Sequence, residues 1–520
     1  MLIEFLLLAV TAVYFVVKLR YELQMFQQNS YRNERFFKWF GKSGIGILRY
    51  GEIAAIWIAA LGVIFSKMWL LALGVVILVP LAVLVLKRKQ KVKLNFTSRA
   101  KRLFFTSLGV VVLIVSLVLC FGKPFLSVVF AEVCCGLTFL ILPLANIILK
   151  PVENKINNWY INDAKRILAS QKDLIVVGIT GSYGKTSTKH FLEKILSQKY
   201  NVLMTPGSFN TTMGVVRTIR EYLNPTHQVF ICEMGAKQLG DIKEICDIVK
   251  PKYGILTSVA EQHLDTFKNI DNVRKTKFEL IDSLPTDGLA VLNADYDIIA
   301  SNADSLKTNS VFYSLNSAKL GYTAKNITYS QHGTTFDLYI GQNREGSFTT
   351  ELLGDYNVSN ILACMALAYE MGLNDKEIAF GVHKLQAVAH RMEIKPNAAG
   401  LIIIDDAFNS NPKGAEMALK ILSQFNGRRF VITPGIIELA DRQDFYNQKL
   451  GEQIAHSADF AVLVGRKQTE AIYRGLKGSG YPDEQIFIAE NLNQAAEKVF
   501  SMASRGDVVL FENDLPDLFG

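Results

Sequence analysis

The chain has 520 residues, of which 50% are hydrophobic and 20% are charged, and its formal net charge is +8. The charge is uneven, because residues 1–150 contain 18 Lys and Arg against 5 Asp and Glu, a net of +13, which leaves −5 for residues 151–520. A mildly acidic main body argues against a nucleic-acid-binding protein, which needs basic residues clustered on a folded face. The six cysteines form no CxxC pair, so we expect neither a zinc site nor a disulfide framework.

The first 150 residues are predicted to form a helical transmembrane domain of about five spans. Apolar runs near the ~20 residues that cross a bilayer lie at 2–17, 53–65, 68–86, 103–121 and 125–149. Lys18 and Arg20 follow the first run, which is the reverse of a cleaved signal peptide, so we expect a retained anchor. Glu52 and Glu132 lie near the ends of runs, where a functional role is one interpretation and an interfacial residue whose carboxylate reaches the membrane surface is the favoured one.

Basic residues predict the orientation of these spans. Residues 18–50 contain seven Lys and Arg and residues 87–102 contain eight, whereas the intervening turns contribute only Lys67 and Lys123. Because cytoplasmic loops carry the excess of Lys and Arg, the N-terminus is predicted outside and everything after Lys150 in the cytoplasm, where ATP is available. The predicted location is the plasma membrane, with membrane lipid around the spans.

After a polar, helix-like linker at 151–172, the chain is predicted to form two α/β domains, at 173–388 and 389–520. Apolar, strand-like runs lie at 229–233, 253–257, 289–293, 401–405, 429–433, 460–464, 485–488 and 507–511. Such runs are typical of parallel strands buried on both faces. The predicted fold class is therefore α/β, with a helical transmembrane domain, a P-loop doubly wound ATPase domain and a Rossmann-like C-terminal domain. Chemistry is expected at the carboxyl ends of the strands.

Residues 174–189 show the order strand, glycine-rich loop, helix that is typical of a phosphate cradle. Gly181 and Gly184 allow a tight turn whose N–H groups point at phosphate oxygens, and the next helix adds partial positive charge. Lys185 is expected against the β- and γ-phosphates, with the Thr186 hydroxyl on Mg2+. The predicted nucleotide contacts are Gly181, Ser182, Gly184, Lys185, Thr186 and Ser187. Ile179 replaces the first glycine of the strict GxxxxGK pattern; ATP binding is nevertheless favoured over a plain turn with a solvated lysine.

Three more polar residues follow the predicted strands or lie on the next helix. Glu233 closes one strand, His263 follows another, and Lys277 lies on a predicted helix. With Thr186 they form a candidate metal set, in which oxygen ligands suit Mg2+ and the histidine would also admit Mn2+. Taken singly, a histidine is more often a surface or core residue and a helix lysine is usually solvated, so the prediction rests on the whole set.

The motifs of residues 173–512 resemble those of the Mur ligases, ATP-dependent enzymes that extend cell-wall peptides, and look most like the branch that adds D-alanyl-D-alanine. The stretches that carry the resemblance are Thr180-Gly-Ser-Tyr-Gly-Lys-Thr186, Thr205-Pro-Gly-Ser-Phe-Asn-Thr211, Glu233-Met-Gly-Ala236, His263-Leu-Asp265, Lys277-Phe-Glu279, Asn293-Ala-Asp295, Gly354-Asp-Tyr-Asn-Val-Ser-Asn360, His390-Arg-Met-Glu393 and Asp405-Asp-Ala-Phe-Asn-Ser-Asn-Pro412.

The resemblance implies an acyl-phosphate mechanism that consumes ATP with Mg2+ and forms an amide. It implies catalytic roles for Lys185, Glu233, His263 and Lys277, with Thr186, Glu233, His263 and a carbamylated Lys277 around the metals. It further implies that Asn357 and Asn360 face adenine, Arg391 the phosphates and Asp406 the ribose. The substrate residues that it implies are Asn210, Thr211, Asn409 and Asn411.

The chain departs from the family pattern at several positions. Tyr356 stands where a histidine is common, and Ser258 replaces a frequent asparagine. Where the D-alanyl-D-alanine branch usually has a Lys-Gly-Ser run, this chain reads Phe511-Glu-Asn-Asp514. Membrane spans occupy the place of the domain that grips the UDP end of the usual substrate.

The leading interpretation is a membrane-anchored amide ligase that joins an amino acid or dipeptide to a cell-wall precursor. A second interpretation keeps the ligation but changes the acceptor to a lipid-linked or non-muramoyl carboxylate. A third, from another class, is a membrane nucleotide sensor or scaffold that binds ATP without ligating.

Overall fold

The computed structural model divides the chain into two compact units, one reaching Asn158 and the other running from Trp159 to Asp514. The residues that it describes are 2–42, 46–88, 92–121, 124–261, 264–302, 306–316, 321–330, 333–388, 391–396, 400–407, 411–437 and 439–513.

The N-terminal unit is built from helices. Their bounds are α1 Leu2–Gln28, α2 Asn33–Lys42, α3 Gly46–Ile64, α4 Met68–Lys87, α5 Ser98–Cys120, α6 Pro124–Gly136 and α7 Thr138–Ala169. The last of these continues through most of the predicted linker at 151–172, so that stretch is helical as far as Ala169.

Three helices within the described residues are long and apolar enough to cross a membrane: α1, α4 and α5. Helices α6 and α7 meet at a bend of 79° and give a fourth candidate if the pair counts as one broken span. This number is smaller than the five predicted spans. The fifth predicted run is interrupted by the bend between Gly136 and Thr138, and the second, at 53–65, lies on α3, which is not among the candidate spans.

A buried polar cluster joins three helices of this unit. The Lys18 ammonium lies 2.6 Å from a carboxylate oxygen of Glu52, which also accepts a 2.6 Å hydrogen bond from the Tyr14 hydroxyl. Lys18 donates a further hydrogen bond of 2.7 Å to the Cys135 carbonyl of α6. Glu52 is only 3% exposed and Glu132 only 1%, so the expectation that both are interfacial residues is wrong. Ionisable side chains inside a helical bundle pair with one another because unpaired charges are costly there.

The second unit contains two sheets, the first of which has nine strands. The bounds of its strands are β1 Ile175–Thr180, β2 Val202–Met204, β3 Val229–Glu233, β4 Tyr253–Leu256, β5 Leu289–Asn293, β6 Asn309–Ser314, β7 Tyr322–Ser330, β8 Gly333–Ile340 and β9 Asn343–Thr350. The strand order is β2-β3-β1-β4-β5-β6-β7-β8-β9, parallel as far as β7 and antiparallel across β7, β8 and β9. The parallel core confirms the doubly wound prediction, whereas the antiparallel edge was not predicted.

Helices cover both faces of this sheet. Their bounds are α8 Lys185–Leu196, α9 Thr212–Glu221, α10 Asp241–Val249, α11 Leu264–Phe267, α12 Ile270–Asp282, α13 Asp297–Ala300, α14 Asp355–Glu370 and α15 Asp375–His383. One core lies between the sheet and α8, α14 and α15, and a second lies between the sheet and α9, α10 and α12. Because strands such as β3 are buried on both faces, they read as continuous apolar runs in the sequence.

The second sheet has six strands. Its elements are β10 Glu393–Pro396, β11 Ile402–Asp406, α16 Pro412–Leu422, β12 Arg429–Thr433, α17 Gln443–Ser457, β13 Phe460–Val464, α18 Glu470–Gly478, β14 Ile486–Ala489, α19 Leu492–Met502 and β15 Val508–Glu512. The order is β10-β11-β15-β12-β13-β14, and all pairs are parallel except β10 with β11. The boundary predicted at 388/389 falls between the two sheets.

The cluster around Lys18 predicts a large stability effect. Replacing Lys18 by Met removes the cation that lies 2.6 Å from Glu52 and 3.7 Å from Glu22, and we expect a loss of about 3–5 kcal/mol in the free energy of unfolding, because both carboxyl groups are buried and lose this partner. Denaturation of the detergent-solubilised protein measures it. Arg20→Met is the control, since Arg20 is exposed on the same helix.

The double variant Lys18→Met/Glu52→Gln removes the cation together with its nearer carboxylate and should recover part of the lost stability, since Glu22 remains. Equal free energies of unfolding for Lys18→Met and the wild type would show that Lys18 contributes nothing to stability.

Candidate active site

The phosphate loop occupies the turn between β1 and α8, as the sequence predicts. Gly184 has φ of 82° and precedes the first residue of α8. A Cβ on Gly184 would lie 2.5 Å from Asn360 Oδ1, and a Cβ on Gly181 would lie 2.0 Å from Thr257 Oγ1. Both positions therefore require glycine for space as well as for backbone conformation.

Neighbouring loops hold this turn in place. The Tyr183 amide donates a 2.7 Å hydrogen bond to the Ser258 hydroxyl, and the Ser182 amide donates to the Ser258 carbonyl at 3.0 Å. Ser182 also donates through its hydroxyl to the Ala260 carbonyl at 2.9 Å. Ser258, a departure from the family pattern, thus fastens the loop that follows β4 to the phosphate loop.

Lys185 begins α8 and folds back over the loop. Its ammonium donates to the Gly181 carbonyl at 2.7 Å and to the Ser182 carbonyl at 3.2 Å. Burial lowers the pKa of Lys185 to about 8, with Glu233 opposing and Arg391 adding to the shift. A cation therefore lies where the loop and the helix N-terminus would receive an anion.

Glu233 is the last residue of β3 and only 1% exposed. One carboxylate oxygen accepts hydrogen bonds of 3.0 Å from the Thr186 hydroxyl and 3.0 Å from the Asn210 side-chain amide. The other oxygen lies 3.1 Å from the ammonium of Lys189, which is fully buried. Burial acts to raise the pKa of Glu233, but Lys189 and Lys185 outweigh it and hold that pKa below its usual value, so the carboxylate stays charged.

The oxygen atoms of Thr186 and Glu233 fit a divalent cation. A hydroxyl and a charged carboxylate side by side are the donor set that Mg2+ prefers. His263, predicted to join them, lies outside the described residues. Within the ranges that the structure describes, no group of three His, Cys, Asp or Glu side chains could hold a metal ion. Thr186 and Glu233 alone would therefore not complete the ligands of a metal ion here.

Lys277 lies on α12 and is 2% exposed. Burial lowers its pKa well below the usual value for lysine, and the charge of Lys185 lowers it further, while Glu279 and Asp241 oppose the shift. A neutral amine is the form of lysine that reacts as a nucleophile.

A cleft of about 940 Å3 is lined by residues of both sheets and their helices. It brings together six of the residues predicted to bind nucleotide or substrate: Ser187, Asn357, Asn360, Arg391, Asp406 and Asn411. Gly181, Lys185, Thr186, Glu233, Lys277, Asn210 and Thr211 do not line it. The residues expected to contact the base and ribose therefore share one cavity, and Ser187 places the start of α8 at its wall.

Several side chains of the cleft are already engaged. Asn357 donates to the Leu353 carbonyl at 2.9 Å, and Asn360 accepts from Thr188 at 3.2 Å. The Met392 amide donates to the Asp406 carboxylate at 3.1 Å. Burial raises the pKa of Asp406 to about 6, although the Met392 amide and Arg391 act to lower it.

The predicted substrate residues divide into two groups. Asn210 contacts the Glu233 carboxylate and belongs to the site. Thr211 and Asn411 instead cap helices, because the Thr211 hydroxyl accepts from the Gly214 amide and the Asn411 side chain from the Gly414 amide. Asn409 lies outside the described residues.

Sequence reasoning missed Lys189. It lies on α8 in register with Leu192 and Leu196, at spacings of three and seven residues, on the face that packs into the core. A lysine on the apolar stripe of a helix is the signal that would have marked it.

Models of known families match most of the second unit. The Mur ligase middle domain matches residues 179–368, and the Mur ligase glutamate ligase domain matches residues 390–512. The chain belongs to the Mur ligase family. The resemblance predicted from the motifs is confirmed, and the family's enzymes are ATP-dependent amide ligases.

Two curated relatives of the family are both UDP-N-acetylmuramoyl-tripeptide–D-alanyl-D-alanine ligases. The Escherichia coli K12 enzyme is 32% identical over 306 residues, which are 57% of this chain and 66% of that enzyme. The Bacillus subtilis 168 enzyme is 26% identical over 339 residues, which are 65% of this chain and 72% of that enzyme. The chain thus spans just under two thirds of the length of the first relative.

Solved structures show the same fold. The MurF ligase of Thermotoga maritima, crystallised with ADP, is 24% identical with a TM-score of 0.62, over 69% of this chain and 80% of that one. A pseudomurein peptide ligase of Methanothermus fervidus is 21% identical with a TM-score of 0.52, over 67% of this chain and 78% of that one. Residues before 179 lie outside both matched family models.

The raised pKa of Asp406 predicts pH-dependent binding of a nucleoside. If its carboxylate accepts hydrogen bonds from ribose, protonation removes the charge that strengthens them, so affinity should fall as the pH is lowered through about 6. We expect adenosine, which has no phosphate to titrate, to bind roughly ten-fold more weakly at pH 5 than at pH 7, measured by calorimetry. Asp406→Asn should remove this dependence; the same pH profile in both proteins would contradict the assignment.

Proposed function

We propose that this chain is an ATP-dependent ligase that forms an amide between a carboxylate of a cell-wall precursor and an amine, through an acyl phosphate. The observation that supports it most is one buried carboxylate, Glu233, held among the cations Lys185 and Lys189 beside the phosphate loop. Excess positive charge at a helix N-terminus suits nucleotide phosphates, and the neighbouring oxygens of Thr186 and Glu233 suit Mg2+.

The proposed reaction has two steps. An acceptor carboxylate oxygen attacks the γ-phosphorus of ATP and ADP leaves, which gives the acyl phosphate; an amine nitrogen then attacks the acyl carbon, phosphate leaves, and the amine loses a proton. Lys185 and the first turn of α8 supply fixed positive charge where phosphate charge shifts during transfer. Thr186 and Glu233 would hold Mg2+, which neutralises phosphate charge when bound.

Other residues take the roles that the resemblance implies. Asn357 and Asn360 are proposed to face adenine, Arg391 the phosphates and Asp406 the ribose, in agreement with their common cleft. Asn210 is proposed to lie at the acceptor, since it contacts Glu233 directly.

Lys277 is proposed to carry a carbamate. A neutral lysine amine adds to the carbon of CO2 and loses a proton, so a cation becomes a carboxylate-like ligand. The burial of Lys277 and its lowered pKa favour the neutral amine that this addition needs. His263 is proposed to bind the same metal ion as the Lys277 carbamate, a second ion beside the one held by Thr186 and Glu233. The Mn2+ expectation rested on His263 and has no support from the described residues, so Mg2+ is the metal proposed.

The proposed substrates are UDP-muramoyl-tripeptide and D-alanyl-D-alanine, as in the relatives' names. A lipid-linked acceptor is the second candidate. It is supported by three candidate spans in a region that lies outside the matched family models. From the basic segments we propose a plasma-membrane protein whose ligase unit is cytoplasmic.

The decisive assay uses detergent-solubilised protein with Mg-ATP and D-alanyl-D-alanine. Phosphate release and product mass are followed first with UDP-muramoyl-tripeptide and then with a lipid-linked precursor. We expect ligation of at least one acceptor, and a fall of at least 100-fold in Lys185→Ala, since the transferred phosphate loses its cation. Turnover on the lipid-linked acceptor alone would favour the second candidate. Nucleotide binding without ligation of either would favour a sensor or scaffold.

The carbamate predicts that activity depends on CO2. Removal of CO2 and bicarbonate from the buffer should lower the ligation rate by at least ten-fold, and added bicarbonate should restore it, because a carbamate forms reversibly. Mass spectrometry of the intact protein measures the same loss directly. Lys277→Ala should be inactive and insensitive to bicarbonate; full activity in this variant would exclude the carbamate.

A further inference from the structure

A buried lysine that takes part in no step of the proposed reaction lies beside Glu233, the carboxylate proposed to hold Mg2+. Lys189 is fully buried on α8, and its ammonium is 3.1 Å from Glu233 Oε2. The same ammonium donates a 2.6 Å hydrogen bond to the Gly207 carbonyl. One cation therefore joins the phosphate helix, the end of β3 and the segment that follows β2.

That segment, residues 205–211, is named the acceptor loop here because Asn210 is proposed to lie at the acceptor. It has no strand or helix of its own between β2 and α9. The Asn210 side-chain amide donates to Glu233 Oε1 at 3.0 Å, and the Asn210 carbonyl accepts from the Gly235 amide at 2.7 Å. Near its start, the Thr205 hydroxyl accepts from the Glu233 amide at 3.1 Å. Glu233 and its neighbours are thus the main support of this loop.

We propose that Lys189 is a positioning residue that ties the acceptor loop to the metal carboxylate. Its ammonium lies 3.1 Å from Glu233 Oε2, while Thr186 and Asn210 donate to Oε1, so a cation bound by this carboxylate would have to share it with Lys189. Its second hydrogen bond fixes Gly207 relative to that carboxylate. Lys189 therefore fixes the position of the acceptor loop relative to the phosphate helix and to Glu233. The assignment of the loop to the acceptor rests on the proposed function.

Stability alone does not account for this lysine. Replacing both partners of a buried ion pair by apolar residues of similar volume is often neutral or stabilising, so stability does not require such a pair; replacing Lys189 alone leaves Glu233 buried without this cation and should destabilise the fold. The positive charge of Lys189 is explained if its ammonium holds the Glu233 carboxylate and the Gly207 carbonyl in fixed positions relative to each other. Removing it should have two opposite effects: the loop loses a restraint, and Glu233 loses a cation that competes with the metal.

The test compares Lys189→Met with Lys194→Met, the same chemical change at an exposed position of the same helix. Hydrogen exchange of the full-length, detergent-solubilised protein without nucleotide reports on the loop. We expect amides of residues 205–211 to exchange at least ten-fold faster in Lys189→Met and at the wild-type rate in Lys194→Met. Calorimetric titration of Mg2+ into the ADP-saturated protein should show several-fold tighter binding in Lys189→Met.

Steady-state kinetics adds a third readout. The KM for the acceptor should rise at least five-fold in Lys189→Met while the KM for ATP changes less than two-fold. Unchanged exchange in the loop, or Mg2+ binding that weakens, would overturn the proposal and leave Lys189 a structural residue. If the wild type ligates neither acceptor, the proposed function fails, whereas exchange and Mg2+ binding still decide whether Lys189 restrains the loop and Glu233.

Discussion

A single buried negative charge organises the catalytic half of this protein. Glu233 ends a strand that is buried on both faces, and it is charged because cations surround it. Its partners come from two other parts of the chain: Thr186 and Lys189 from the phosphate helix, and Asn210 from the segment after β2. A carboxylate removed from water would be costly without such partners, so the position of each loop is coupled to this one side chain.

The phosphate loop is also preorganised by its neighbours. Hydrogen bonds from Ser182 and Tyr183 to the segment after β4 hold the turn in the shape that a phosphate would need. The Lys185 ammonium donates hydrogen bonds to the Gly181 and Ser182 carbonyls of the same loop. Little ordering is then required when a nucleotide arrives, which lowers the entropic cost of binding.

Much of this architecture could be predicted from the sequence. Strands such as β3 and β12 lie in their predicted positions, because residues buried on both faces give continuous apolar runs. The antiparallel strands β8 and β9 were missed, since they lie at the sheet edge and β9 alternates exposed polar residues with few buried ones. The glycines and Lys185 of the phosphate loop were found from local spacing.

Burial and pairing of charges could not be predicted in the same way. Glu52 looks like an interfacial residue in the sequence, and its partner Lys18 is separated from it by a helix and a turn. The sequence marks Lys189 only as a lysine on the apolar stripe of α8, and its partners are known once β3 and the loop after β2 are packed against it. In both cases the environment comes from segments distant in the sequence, which pattern and propensity do not report.

The polar cluster of the N-terminal unit bears on how the protein is made. The Lys18 ammonium donates a hydrogen bond to the carbonyl of Cys135, which lies 117 residues further along the chain. If α1 spans the membrane as proposed, it enters the bilayer before the group that satisfies its lysine has been synthesised, and an unpaired ammonium in lipid is unfavourable. We expect α1 to be retained at the insertion machinery until α3 and α6 emerge, so these helices are released as a set. An unrelated apolar anchor would keep the ligase unit at a membrane but would not reproduce this assembly.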